Sequence, residues 1–209
     1  RFLLAVPLYE AGEVAEAEAE LRAVLDARPQ LHHARVALAE ALLSQGRLVE
    51  AAAQAALVPA DAACAVAGAR TAAFAGLAAG EGADVAALRA AGMPEAEVLA
   101  FAAWQDGAPP EDAVPAAAAP ALATMLDALA RLEAFDAFER LARAADAVAL
   151  PWRERRELLA GVYLRRGYLE SAADEWLAVC ERTGPDARAL AGLAQVARGQ
   201  GLDEDAEVF

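Results

Sequence analysis

The sequence of 209 residues predicts an all-α solenoid of stacked helical hairpins with an irregular section near its middle. Three observations point that way. Alanine, leucine, glutamate and arginine dominate, and these are the strongest helix formers. β-Branched residues are few, and no alternating apolar–polar stretch of strand length occurs. Glycines and prolines fall between apolar-periodic stretches of about a dozen residues, where helices stop and start.

A period of about 34 residues runs through those glycines, and it justifies the elements in order. The first hairpin turns at Gly12, with Leu8 four positions before it, Ala17 five after, Leu21 nine after, and Pro29 closing the unit. The second turns one period on at Gly46, with Leu42, Ala51 and Ala55 at the same offsets. The stretch from Ala62 to Gly80 is the most apolar long one, but Arg70 stands in its middle. A central arginine costs about 2.5 kcal/mol or more in a bilayer, so a buried helix is expected there and not a span.

Gly80 lies one period after Gly46 and marks a degenerate copy, AFAGLAAGEGADVAALRAAGMP. The interval from Gly80 to Glu133 is more than half a period too long. The excess is expected as an additional helix over 95–105, then a proline-rich loop from Gly107 to Pro120. Glu133 stands one period before Gly167 in a second degenerate copy, where Phe138 replaces the small alanine and should widen or shift the crossing. The Gly167 copy has Tyr163, Ala172, Trp176 and Pro185, and the Gly201 copy has Ala197 and Ala206 before the chain stops at Phe209. An open solenoid end exposes apolar surface that normally needs a cap, so self-association or a flexible C-terminal turn is expected there.

Each repeated residue has a physical job. Glycine ends the first helix in a left-handed cap conformation at low cost. The alanine five positions on lies where two helices cross closely, and a larger side chain would push them apart. The leucine or aromatic four positions later fills the gap beside that crossing, and proline ends the second helix. The segments LYEAGEVAEAEAELRAVLDARP and VYLRRGYLESAADEWLAVCERTGP carry this pattern and resemble half-units of the tetratricopeptide repeat (TPR) family, as a divergent, alanine-rich bacterial member. The likeness is strong over 1–60 and 150–209 and weak between. The organisation expected is TPR-like hairpins over 1–64, a degenerate hairpin with extra helix and loop over 65–118, and hairpins again over 119–209, all in one continuous solenoid.

Composition excludes several functions. The formal net charge of −14 argues against nucleic acid, whose phosphates need a basic footprint. With no lysine there is neither a P-loop lysine nor Schiff-base chemistry, and neither serine lies in a GxSxG elbow. The adjacent His32 and His33 point to different sides of a helix and do not form a zinc pair. GEGADV at Gly80 lacks the strand and third glycine of a dinucleotide fingerprint. Glu13, Glu16, Glu18 and Glu20 spread around a helix as a solvated face. Cys64 and Cys180 are expected as buried reduced thiols, and Trp104 and Trp152 as core or junction residues. No enzyme, cofactor, metal site or membrane contact is expected, and the location expected is cytoplasmic.

The resemblance implies a right-handed superhelix whose first helices line a concave, partner-binding face. Carried over by offset from each turn, the contact positions are His33, Val36, Glu40, Leu43 and Ser44, then Ala123, Asp127 and Arg131. They continue with Glu154, Glu157, Gly161, Leu164 and Arg165, and end with Arg188, Ala191, Gln195 and Arg198. The family's chaperone-tail clamp uses lysine and asparagine, both absent here, which excludes that subtype. What remains is an arginine group (Arg131, Arg165, Arg188, Arg198), and a guanidinium fork suits carboxylates. It either pairs internally with Asp127, Glu154 and Glu157 or captures an acidic or C-terminal peptide. The function expected is a protein–protein interaction scaffold. The alternative is a non-catalytic accessory region of a larger bacterial enzyme, most readily a family-2 glycosyltransferase, because the chain opens at Arg1 without methionine and reads as a piece of a longer protein.

Overall fold

The structure is a computed structural model that describes residues 13–107, 113–202 and 206. The described residues form eleven α-helices and no strand. They are α1 (Val14–Ala27), α2 (His32–Ser44), α3 (Leu48–Ala56), α4 (Ala65–Ala79), α5 (Val85–Ala90), α6 (Glu95–Asp106), α7 (Ala119–Arg131), α8 (Phe135–Ala145), α9 (Trp152–Arg165), α10 (Leu169–Thr183) and α11 (Ala187–Gly199). Gly12 and the helix expected before it lie outside the described residues.

The periodic register recurs as one turn geometry. Gly46, Gly80, Gly167 and Gly201 have φ of 73°, 82°, 78° and 75°, and Glu133 has φ 55°, the one positive value at a described non-glycine residue. All five turns make the same pair of hydrogen bonds. The N–H of the turn residue donates to the carbonyl three positions back, and the next N–H donates to the carbonyl five positions behind it. At Gly46 these are Gly46 N–H to Leu43 O (2.9 Å) and Arg47 N–H to Leu42 O (3.0 Å); at Glu133 they are Glu133 N–H to Ala130 O (3.2 Å) and Ala134 N–H to Leu129 O (3.0 Å). This pair of bonds caps the last carbonyls of a helix around a left-handed residue. The residue that follows then opens the second helix with nearly fixed dihedrals: φ/ψ of −81°/58° at Glu13, −82°/64° at Arg47, −83°/65° at Ala134 and −81°/69° at Tyr168.

Packing follows the same offsets. Ala17, Ala51, Ala172 and Ala206 are buried, as are Leu21, Ala55 and Trp176. Ala39, Ala73, Ala160 and Ala194, each seven positions before a turn, form a second buried small position. Helices pack on their chain neighbours at both ends, α1 through α4 and α9 through α11. The core is three overlapping clusters: one from Leu21 to Ala75, the largest from Ala73 to Val162, and one from Ala160 to Val196. α4 and α9 each contribute to two clusters and so join them.

Several expectations need correction. The Gly80 copy departs after its turn: α5 starts five positions later instead of two and spans only Val85–Ala90, with Asp84 accepting from the Ala87 N–H as its cap. Gly80–Asp84 folds back onto α4, so closely that a Cβ on Gly76 would stand 2.5 Å from Gly82 O. The extra helix is observed one residue longer than expected, as α6. The loop expected to reach Pro120 ends earlier, in a 3-10 turn over Ala116–Ala118, and Pro120 lies inside the first turn of α7. Val114 exchanges backbone hydrogen bonds with Ala147 (3.0 Å) and Ala149 (2.8 Å), which pins that loop to the end of α8.

Phe138 is buried with its ring 5.4 Å from that of Tyr163. α8 leans on α7 and α6, and the close packing of a second helix on the next first helix is missing between α8 and α9. Glu18 is more than solvated: it pairs with Arg22 (2.8 Å) and Arg47 (2.9 Å) and accepts from Gln45 (2.9 Å), tying α1 to the next turn. Cys64 is buried but Cys180 is only half-buried, and both are free thiols. Residues 203–205 and 207–209, on which the C-terminal expectation rests, lie outside the described residues; Ala206 is helical and buried.

Candidate functional site

The expected contact residues fall into two electrostatic settings. In the N-terminal half, Glu40 on α2 is exposed over much of its surface. Neighbouring atoms nevertheless desolvate its carboxyl and push its pKa above the ordinary value, and the charge of Arg70 on α4 offsets part of that. Arg70 is committed elsewhere: it forks onto Glu97 of α6 through Nε (3.0 Å) and Nη2 (3.3 Å).

In the C-terminal half, Asp127 on α7 accepts from Arg166 Nε (2.9 Å) and Nη2 and from Arg165 Nε (3.5 Å). The Arg166 hydrogen bonds hold the Asp127 carboxyl below its ordinary range. Glu157 on α9 keeps only 4% of its side chain exposed, accepting from Arg153 Nε (2.7 Å) and pairing with Arg188 Nη2 (2.8 Å). Arg153 also pairs with Asp186 (2.6 Å), whose carboxylate caps α11 through the N–H groups of Arg188 and Ala189 (both 3.0 Å). A single network of Asp186, Arg153, Glu157 and Arg188 therefore bridges α9 to α11.

Internal pairing thus takes up Asp127 and Glu157, and Arg188 only in part, since 72% of its side chain remains exposed. Glu154 and Gln195 are exposed without a side-chain partner among the described residues. Arg131 and Arg198 are exposed too, and neither forms an ion pair among the described residues. Arg165, held by one 3.5 Å contact, completes a set at the C-terminal ends of α7, α9 and α11. The two positions on α7 and α9 are in register, each two positions before its turn.

Two clefts lie elsewhere, among the helices from α3 to α7. One of about 460 Å³ lies between α3, α4 and α5, walled by small residues such as Ala55, Ala69 and Gly76, and opens where α5 is short. The other, of about 410 Å³, lies where α6 stands between α4 and α7, lined by Arg70, Glu97, Phe101, Pro120, Thr124 and Met125. The Gly80 copy carries none of the expected contacts, yet Arg70 stands ten positions before its turn, in register with Val36 and Glu157. That offset could have found it. Glu97 and Arg166 had no such signal, because their partners come from other helices, whereas Arg153 stands four positions before Glu157 on α9, a helical pairing distance that could have found it; only its second partner, Asp186, is remote.

No group of three or more His, Cys, Asp or Glu suited to a metal ion occurs among the described residues. No described helix is long and apolar enough to cross a membrane. No family model, curated protein or solved structure matches the chain.

Proposed function

We propose that the chain is a right-handed, TPR-like solenoid that acts as a protein–protein interaction scaffold, holding an acidic peptide segment along the face formed by its first helices. The observation that carries this reading is the set Arg131, Arg165 and Arg198. These guanidiniums sit at the ends of three successive first helices, exposed and largely free of internal carboxylates among the described residues, in a chain of net charge −14. The periodic recurrence of one turn geometry supports the solenoid, because units that share a turn and a packing offset stack with a repeated rotation.

The test is fluorescence anisotropy with a labelled oligoglutamate peptide. Binding should weaken at least about tenfold in the double variant Arg131→Glu/Arg198→Glu and should fall with added salt, since the groups are exposed. Circular dichroism checks that the variant stays helical. No binding, or equal binding by the variant, would refute the reading.

A further inference from the structure

Five glycines lie inside helices among the described residues: Gly68 and Gly76 on α4, Gly161 on α9, and Gly192 and Gly199 on α11. A glycine there weakens a helix relative to alanine, because it has more backbone freedom to lose. Four of the five have a packing reason. A Cβ would stand 2.9 Å from Val58 Cβ at Gly68, 2.5 Å from Gly82 O at Gly76 and 2.9 Å from Leu169 Cδ2 at Gly199. At Gly192 it would press into the Trp176 ring. Gly161 has no such reason. The atom nearest its missing Cβ is Arg165 Nη1 at 3.4 Å, the far end of a flexible side chain on the same helix, and no described atom of another helix lies within 4 Å. Gly161 is also half-buried, so part of its backbone faces solvent. It stands six positions before its turn, where the neighbouring first helices carry Asp127 on α7 and Gln195 on α11. Glu157 and Arg165, one helical turn to either side on α9, each bridge to another helix: Arg165 to Asp127 (3.5 Å) and Glu157 to Arg188 (2.8 Å).

We propose that Gly161 is the point where the main chain of the bound acidic peptide crosses α9 in extended form, with its backbone laid against the bare helix. The inference rests on the scaffold reading and adds to it the conformation of the peptide and the place of closest approach. Glycine is the residue that lets another backbone come this near. The two charged bridges stand about 12 Å apart along α9, on either side of that point. Successive side chains of an extended chain point to opposite sides, so neighbouring glutamates of the peptide reach Arg165 at one end of the strip and Arg188 at the other. Both guanidiniums have room for a further carboxylate, with 56% and 72% of their side chains exposed. A helical partner would be held off at the width of its own side chains and would gain nothing from the glycine.

The experiment follows Gly161→Ala and Gly161→Gln by thermal melts and by anisotropy with labelled oligoglutamate. Gly161→Ala should raise the melting temperature by about 2–4 °C, because alanine is the better helix former and its methyl group meets only a movable side chain. Gly161→Gln should melt no lower than the parent protein. Binding should move the other way, weakening about threefold in Gly161→Ala and about tenfold or more in Gly161→Gln, whose longer side chain covers the strip. A rise in stability with a loss of binding is the signature of a backbone kept bare for a ligand. A fall in melting temperature for Gly161→Ala would assign the glycine to the fold and refute the crossing. If oligoglutamate binds the parent and both variants equally, the crossing is refuted and the scaffold reading stands. If it does not bind the parent at all, both fall. A peptide with the same number of glutamates held in an alanine-rich helix should bind the parent more weakly than oligoglutamate, and tighter binding by that helix would refute the extended crossing.

Discussion

Enlarging Ala172 tests the packing register directly. Ala172 has 0% exposure and sits in a cluster with Ala160, Trp176 and Val179, beside the crossing of α9 and α10. Ala172→Leu adds three carbons. Burying them would contribute about 2–2.5 kcal/mol if space existed, but Trp176 and its neighbours already occupy that volume. Overpacking of this kind costs about 1–3 kcal/mol net. In a chain of this size each kcal/mol shifts the melting temperature by about 2–4 °C, so a fall of about 2–12 °C is expected. The control is Ala19→Leu, at an exposed position of α1, where the change should stay within about 0.5 kcal/mol. Both variants make the same exchange of one strong helix former for another, so propensity cancels between them. Thermal melts followed by far-ultraviolet circular dichroism give the comparison. Equal melting temperatures would mean that the alanine offset is an accident of an alanine-rich chain.

Three further outcomes follow from individual residues. Glu133→Gly should stabilise the protein by about 0.5–1 kcal/mol in urea melts, because a left-handed non-glycine residue costs about 1–2 kcal/mol and glycine's extra unfolded freedom takes back part; a loss of stability would contradict the turn assignment. Gly192→Ala should lower the melting temperature by at least as much as Ala172→Leu, since its Cβ would press inside contact distance of the Trp176 ring. The pH dependence centres on Asp186, held well below its ordinary value of 3.8 chiefly by Arg153, with the Ala189 N–H adding to it. Its folded pKa is depressed, so its stabilisation is complete above about pH 5 and is lost as pH falls through 3.8 and below. Asp186→Asn should therefore melt with less dependence on pH between about 5 and 2.5 than the parent protein.

How much of this was legible in advance can be followed residue by residue. The sequence by itself determined the helices, the turns and the small packing positions. Each depends on neighbours within a few positions or on a strict offset: a left-handed cap at Gly167, a buried alanine five positions on, a proline after the second helix. Glu133 shows how far that local logic reaches. The backbone there turns as at the glycines although the side chain is wrong for it, because the apolar spacing on either side already commits α7 and α8 to pack. Tertiary structure alone decided the middle and the charges. The shortening of α5 follows from Gly80–Asp84 folding back onto Gly76, and the place of α6 follows from Phe101 and Trp104 finding Phe74 and the α7–α8 pair. Which arginines are consumed depends on contacts between residues far apart in the chain, such as Arg166 with Asp127, 39 positions away. A long guanidinium side chain reaches whichever carboxylate the neighbouring helix presents, and helix rotation sets that partner where sequence spacing does not.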